Sequence, residues 1–299
     1  MSPITGLLTA LGAFTAFYIA AWGKIIATVR RDGGPATPAT DARFPTPLGM
    51  GVGWLTDFLD TLGIGSFATT TSLFRAFKMV PDRVIPGTLN AGHTLPTITE
   101  AFAYMAFIKV DMTTLIAMIV AAVLGSWLGA GIVAKWSKRG VQIGMGIALL
   151  VAAALFIMTA MNLFPGGGDA LGVRGIKFVV AVGGNFILGA LMSLGIGLYA
   201  PCMILVALLG MNPTAAFPIM MGSCAFLMPI GSLKFIKERA YSLRVALGLT
   251  IGGIPGVLIA AYIVKSLPLA YVRWLVIIVV VYTSITMLKS AFMDTERPR

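Results

Sequence analysis

Residues 112–134 and residues 141–161 contain no charged side chain. A helix of either length crosses the roughly 30 Å hydrocarbon core of a bilayer. Similar apolar segments fall at about 4–24, 48–61, 66–78, 83–106, 174–194, 198–210, 213–236, 243–264 and 269–290. The composition excludes an ordinary soluble domain: 58% of residues are hydrophobic, 11% are charged, and the mean hydropathy is +0.93. The sequence therefore predicts an all-α polytopic membrane protein.

The net charge of +11 raises the question of nucleic acid. In so apolar a chain, Lys and Arg in loops set membrane topology instead. Neither aromatic–basic interleaving nor zinc spacing is present, so no nucleic-acid partner is expected. Cys202 and Cys224 form neither a disulfide framework nor a CxxC pair, and no cofactor or metal site is expected. The first apolar segment lacks a basic leading region and a clear small-residue cleavage site, so it reads as a retained helix.

Two loops divide the chain. "RRDGGPATPATDARFPTP" follows the first segment, and "FPGGGDALG" begins at Phe164, near the middle. The two sides of that midpoint resemble each other. "LGIG" at Leu62 recurs at Leu194, an offset of 132, and Pro81 and Pro86 recur as Pro213 and Pro218 at the same offset. "GSWLGAGIVAK", ending at Lys135, resembles "GVLIAAYIVK", ending at Lys265. These landmarks, in one order, predict a first repeat at 48–161, a linker at 162–173 and a second repeat at 174–290. Residues 1–47 would then be an N-terminal transmembrane helix with a cytoplasmic loop, and 291–299 a cytoplasmic tail.

Loop charge decides how each repeat threads the membrane. Treating 48–78 and 174–210 as re-entrant hairpins, with the N-terminus outside and the C-terminus inside, leaves only Lys109, Arg174, Lys177, Lys265 and Arg273 outside. The other 17 of the 22 basic residues then lie inside. Treating each hairpin as one broken spanning helix gives at best 14 against 8. The positive-inside rule favours the hairpins. Each repeat then has one hairpin and three spanning helices, an odd number, so the two are inverted. Residues 174–194 are the exception to watch, being long enough to span unaided.

The chemistry concentrates in "LTDFLDTLGIGSFATTTSLF", residues 55–74. A break at mid-membrane has to be buried in protein or face a cavity. The helix that restarts after it points free N–H groups and a positive dipole end toward the membrane centre. Two such ends, one per inverted repeat, make an anion site near the pseudo-two-fold axis. Gly63 and Gly65 form the first turn, and Gly195 and Gly197 the second. Ser66, Thr69, Thr70, Thr71 and Tyr199 offer hydroxyls for the oxygens of an oxyanion. The plainer alternative is that the glycines permit close helix crossing and the hydroxyls bond backbone carbonyls.

The "GIGSF" turn and its apolar arm, the P-x(4)-P that opens the next helix, the "GSWLGA" helix and the basic turn "KWSKRG", largely repeated, resemble the TauE/SafE sulfite exporter family, also called the toluene sulfonate uptake permeases (TSUP). The resemblance covers about residues 48–290. It implies secondary transport, with export the expected direction, of small sulfur-containing or organic anions such as sulfite, organosulfonates or related carboxylates. The family's glycine run after the turn, roughly GIGGG, reads Gly63-Ile64-Gly65-Ser66-Phe67 here and Gly195-Ile196-Gly197-Leu198-Tyr199 in the second repeat. These bulkier residues bear on the substrate rather than on the architecture.

In "NAGHTLPTITE", Asn90, His93, Thr97 and Glu100 share one helix face, loosened by Pro96. Ionisable groups at membrane depth face a cavity or a partner. His93 is the only histidine, a residue type whose free side chain changes charge near neutral pH, and is a candidate for proton coupling with Glu100 or Asp60, although Glu100 could also lie near the outer interface. Asp57 and Asp60 are expected either to pair with Arg75 or Lys234 and lock the hairpin, or to gate the site by protonation. In the second repeat Ser223 and Cys224 stand on the corresponding helix, with Cys202 on the hairpin arm. The cysteines are small packing residues or weak thiol contacts to a sulfur anion. Lys234 is expected to snorkel to the interface.

The expected function is alternating-access anion transport across the bacterial cytoplasmic (inner) membrane, without enzymatic activity. Its partners are a small anionic substrate and the lipid bilayer, with protons as a coupling ion and a second copy in a homodimer as further candidates. An anion channel of the same fold would show the same repeats. A Ser66–His93 hydrolase would need those two side chains within hydrogen-bond reach and an oxyanion hole.

Overall fold

The computed structural model describes residues 3–32, 37–62, 64–104, 110–163, 166–195, 197–212, 215–264 and 270–293. Among these the chain is helical, with one isolated bridge between Ala170 and Met211. The helices are α1 (Pro3–Asp32), α2 (Pro47–Thr61), α3 (Ser66–Ala76), α4 (Ile85–Tyr104), α5 (Met112–Val133) and α6 (Lys138–Ala160). They continue with α7 (Ile176–Met192), α8 (Tyr199–Leu208), α9 (Ala216–Lys237), α10 (Leu243–Ile259) and α11 (Ala270–Met293). A π-helical turn, Ala260–Val264, prolongs α10.

Local chemistry sets several starts. Thr46 accepts from the Gly49 N–H at 3.1 Å and Pro47 supplies a preset φ, opening α2. Asp111 accepts from the Thr114 N–H at 2.8 Å to open α5, and Ser137 accepts from the Gly140 N–H at 3.2 Å to open α6.

Among the described residues six helices are long and apolar enough to cross a membrane: α1, α5, α6, α9, α10 with its π turn, and α11. The protein is a multi-pass membrane protein. The sequence led us to expect a seventh crossing at α4. Its 20 residues reach about 30 Å at 1.5 Å each, but its polar stripe keeps it below the apolarity of the other six. The hairpin arms are short. α2, α3 and α8 have 15, 11 and 10 residues, and α7 stops at Met192 after 17, about 26 Å. α2, α3 and α8 are too short to cross the core upright, and α7 stands at the lower limit of spanning length.

The packing pairs helices across the chain. α2 lies along α10 as α7 lies along α5; α4 packs on α9 and α6 on α11; α4 also meets α10 as α9 meets α5. Exchanging α2–α6 for α7–α11 turns this set of contacts into itself. The equivalence reaches single residues. A methyl on Gly256 would strike the carbonyl oxygen of Trp54, and one on Gly125 would strike that of Phe186, 132 residues further along. α1 stands apart from this scheme: it packs on α9 and α4, with Tyr18 and Trp22 buried.

Ion pairs sit at the helix ends. Asp111 takes two hydrogen bonds of 2.9 Å from Arg174, tying α5 to the segment that enters α7. That guanidinium, helped by the Thr114 N–H, holds the Asp111 carboxyl below the usual carboxylate range.

Candidate functional site

The first hairpin turns where α2 runs out at Leu62 and the Ile64 N–H closes back on the Leu59 carbonyl at 2.9 Å. α3 restarts at Ser66 with no side-chain cap from its own preceding residue. The cap comes from α2. Asp60 Oδ1 accepts from the Ser66 N–H at 3.1 Å, and Oδ2 accepts from the Ser66 hydroxyl at 2.8 Å. In the second hairpin Gly195 holds φ at +91°, in the left-handed region that favours glycine. α8 begins after it with no side-chain cap. Gly63 and Ile196 lie outside the described residues, as does the Tyr199 side chain.

The two hairpin tips face one cavity of about 70 Å³. Gly65, Ser66 and Phe67 line it from the first tip, and Gly197 and Leu198 from the second. Asp60, Thr97, Met192, Cys224 and the α6 residues Phe156 and Thr159 close the walls. A water needs about 10–15 Å³ of such space, so the cavity has room for a small ion. Thr97 is buried to 4% exposure, and its hydroxyl has no partner among the described residues. A methyl on Gly65 would come no nearer than 3.8 Å to Phe156, and one on Gly197 would meet nothing within 4 Å, so both glycines leave space on the cavity side.

Behind this wall lies a second polar layer. His93 on α4 is fully buried; its Nδ1 is 2.8 Å from Asp57 Oδ1, and its Nε2 is 3.0 Å from the Thr70 hydroxyl. Phe67 separates this chain from the cavity, its ring centroid 5.8 Å from that of His93. The second carboxylate oxygen of Asp57 has no hydrogen-bond partner among the described residues, and it points at Gly253 of α10, whose missing side chain makes room for it.

The hydroxyl row divides accordingly. Ser66 lines the cavity and Thr70 reaches His93. Thr69 and Thr71 turn back onto their own helix, donating to the Gly65 and Phe67 carbonyls at 3.0 and 2.7 Å, the i−4 bonding that spares a short helix unpaired hydroxyls. Asn90 donates to the Pro86 carbonyl, and Ser223 accepts from the Asn185 amide at 2.9 Å. Cys224 lines the cavity and contacts Met192 sulfur at 3.8 Å, while Cys202 is buried away from it.

Several expected partners are different. Neither Arg75 nor Lys234 reaches Asp57 or Asp60: Arg75 pairs with Asp82 at 2.6 Å, and the Lys234 ammonium sits 4.5 Å from the Trp127 ring centroid. His93 bonds Asp57, not Asp60 or Glu100, because Asp57 lies level with it across the α2–α4 contact while Asp60, one turn on, caps α3. Glu100 is buried at 1% exposure. Ser66 and His93 are bonded to other groups, which leaves the Ser–His hydrolase reading without its dyad. The α6 wall was not foreseen; Thr159, a hydroxyl near the end of an apolar helix, was the signal available for it.

Part of the chain matches a known family. Residues 177–299 match the model of the sulfite exporter TauE/SafE. The match takes in nearly all of α7 and the whole of α8 to α11. The matched family is named for sulfite export, which is a membrane transport activity. Met192, Gly197, Leu198 and Cys224 of the cavity lie inside the TauE/SafE region, while Asp60, Ser66 and His93 lie before it. No curated protein and no solved structure matches the chain.

Proposed function

We propose that the protein is a secondary transporter, and in its expected direction an exporter, of small sulfur-containing or organic anions such as sulfite or organosulfonates. Its binding site is the cavity between the hairpin tips. The observation that carries this reading is that residues following both breaks, Gly65–Ser66 and Gly197–Leu198, line one small cavity. Two helix starts directed at one space supply donors and positive dipole ends without a buried Lys or Arg, which suits an oxyanion. The exchange of contacts between α2–α6 and α7–α11 supports an inverted pair of repeats at 48–161 and 174–290, with alternating access as the mechanism and protons as the coupling ion.

The test is thermal stabilisation of the purified protein by sulfite, thiosulfate, taurine, isethionate and simple carboxylates. A ligand at 100 times its dissociation constant stabilises by about 2.7 kcal/mol. Gly65→Leu and Gly197→Leu, which fill the cavity from either tip, should fold and lose that response. Undiminished stabilisation in both variants places the site elsewhere. A channel of the same fold would pass anions in single-channel recordings at rates no alternating-access cycle reaches.

A further inference from the structure

The first tip already carries an anion of its own. Asp60 lies on the cavity wall, and its two carboxylate oxygens take the N–H and the hydroxyl of Ser66, the donors the first hairpin would offer a substrate. Among the described residues the second tip has no such occupant: the position 132 residues after Asp60 is Met192, and α8 starts without a side-chain cap. An incoming oxyanion therefore meets one tip with free donors, one tip held by a carboxylate, and between them the unpartnered hydroxyl of Thr97. A second full negative charge beside a buried carboxylate is expensive in a low-dielectric site.

We propose that Asp60 is the coupling group of this transporter, competing with the substrate anion for the Ser66 donors and releasing them as it takes up a proton. This inference rests on the binding site proposed above. The step balances simply. One proton from the side to which the cavity is open joins a carboxylate oxygen of Asp60, and the Ser66 N–H and hydroxyl transfer their hydrogen bonds to the anion. The new carboxylic O–H becomes a further donor to it. Proton and anion then travel together, one for one. Transport of a monoanion is electroneutral, and its direction follows the anion gradient combined with the pH difference.

Other ionisable groups face Asp60 from the surrounding elements. Asp57 lies one turn back on α2, His93 and Glu100 stand on α4, and Cys224 stands on α9. Arg75, the one charged residue of α3, lies at its far end with Asp82, and Arg244 at the start of α10 donates to the Phe44 carbonyl. Among these groups Asp60 alone holds the donors of the tip, and this separates it from His93, whose nitrogens are engaged with Asp57 and Thr70 behind Phe67.

Methanesulfonate, a monoanion that does not itself titrate near neutral pH, is the probe. Its affinity for the wild-type protein should fall about tenfold per pH unit once Asp60 is ionised, the slope of one linked proton. Binding in weakly buffered solution should take up one proton per anion. Asp60→Asn should bind methanesulfonate with a flat pH profile and no proton uptake. If the variant does not fold, proton uptake by the wild type decides alone. Wild-type binding that is pH-independent and proton-free, or a slope that persists in Asp60→Asn, overturns the role of Asp60 and leaves the anion site intact. Failure to bind methanesulfonate, sulfite or any carboxylate from pH 5 to 8 removes both.

Discussion

The two halves of the molecule pack alike and differ in what they bury. At one pair of equivalent contacts, Asp57 of α2 faces Gly253 of α10, whereas Gly189 of α7 presses on Ala122 of α5. The first places a carboxylate where the second has only backbone against a methyl-bearing residue. The difference extends along the chain. His93 corresponds to Ala225 and Thr70 to Cys202, so the whole Asp57–His93–Thr70 chain is absent from the second half. The lesson is that the crossing geometry constrains both halves, while the polar chain is an addition to one. A symmetric frame carrying an asymmetric site can treat its two faces differently.

The strongest test of that view is to make the first half resemble the second. His93→Leu leaves Asp57 buried without its partner and should cost roughly 3–5 kcal/mol in reversible unfolding from mixed micelles. Adding Asp57→Ala should return the protein to within about 1 kcal/mol of wild type, since a whole buried pair can be replaced by apolar groups at little cost. A double variant as unstable as the single one would show that the chain is structural in itself. Next in size are the twin glycines. Gly256→Val and Gly125→Val each drive a side chain into a facing carbonyl and should each cost about 1–3 kcal/mol or more. If one is tolerated and the other is not, the two crossings are not equivalent.

Thr70→Cys puts the second half's residue into the first. It exchanges one neutral hydrogen bond to His93 for a weak thiol contact, a loss of about 1 kcal/mol readable as a lower melting temperature. Smallest is the acid sensitivity of the Asp111–Arg174 tie. Asp111 is held below its unfolded value, so its contribution is present above about pH 4 and fades as the pH falls through the folded value. Arg174→Gln should flatten that part of the melting-temperature profile, and raised salt should do the same to the wild type.

Much of the fold could be read along the chain, because helices inside a membrane satisfy their own backbone and leave long apolar runs. The segments at 48–61, 66–78 and 112–134 appear as Pro47–Thr61, Ser66–Ala76 and Met112–Val133. The break before Ser66 was visible in "GIG". What could not be read was which distant side chains meet. His93 lies 36 positions from Asp57, and only the α2–α4 contact brings them together. For the same reason Arg75 and Lys234 were plausible partners for the acids until their own neighbours, Asp82 and Trp127, were known. The α6 wall was hidden because Phe156 looks like any lipid-facing aromatic until the tips are placed against it.

The tight crossing of α2 with α10 has a consequence for how the protein is made. Met50 and Gly252 meet backbone to backbone, yet about 200 residues separate them in the chain. At 5–20 residues per second, the ribosome needs about 10–40 s to deliver α10 after α2. Throughout that interval α2, too short to span and carrying two acids, is in the membrane without the surface it was shaped to fit. A nascent chain stalled before α10 would hold those acids unsheltered, a state that quality-control proteases and insertases can recognise, so truncations after α9 should be cleared from the membrane faster than the full-length protein.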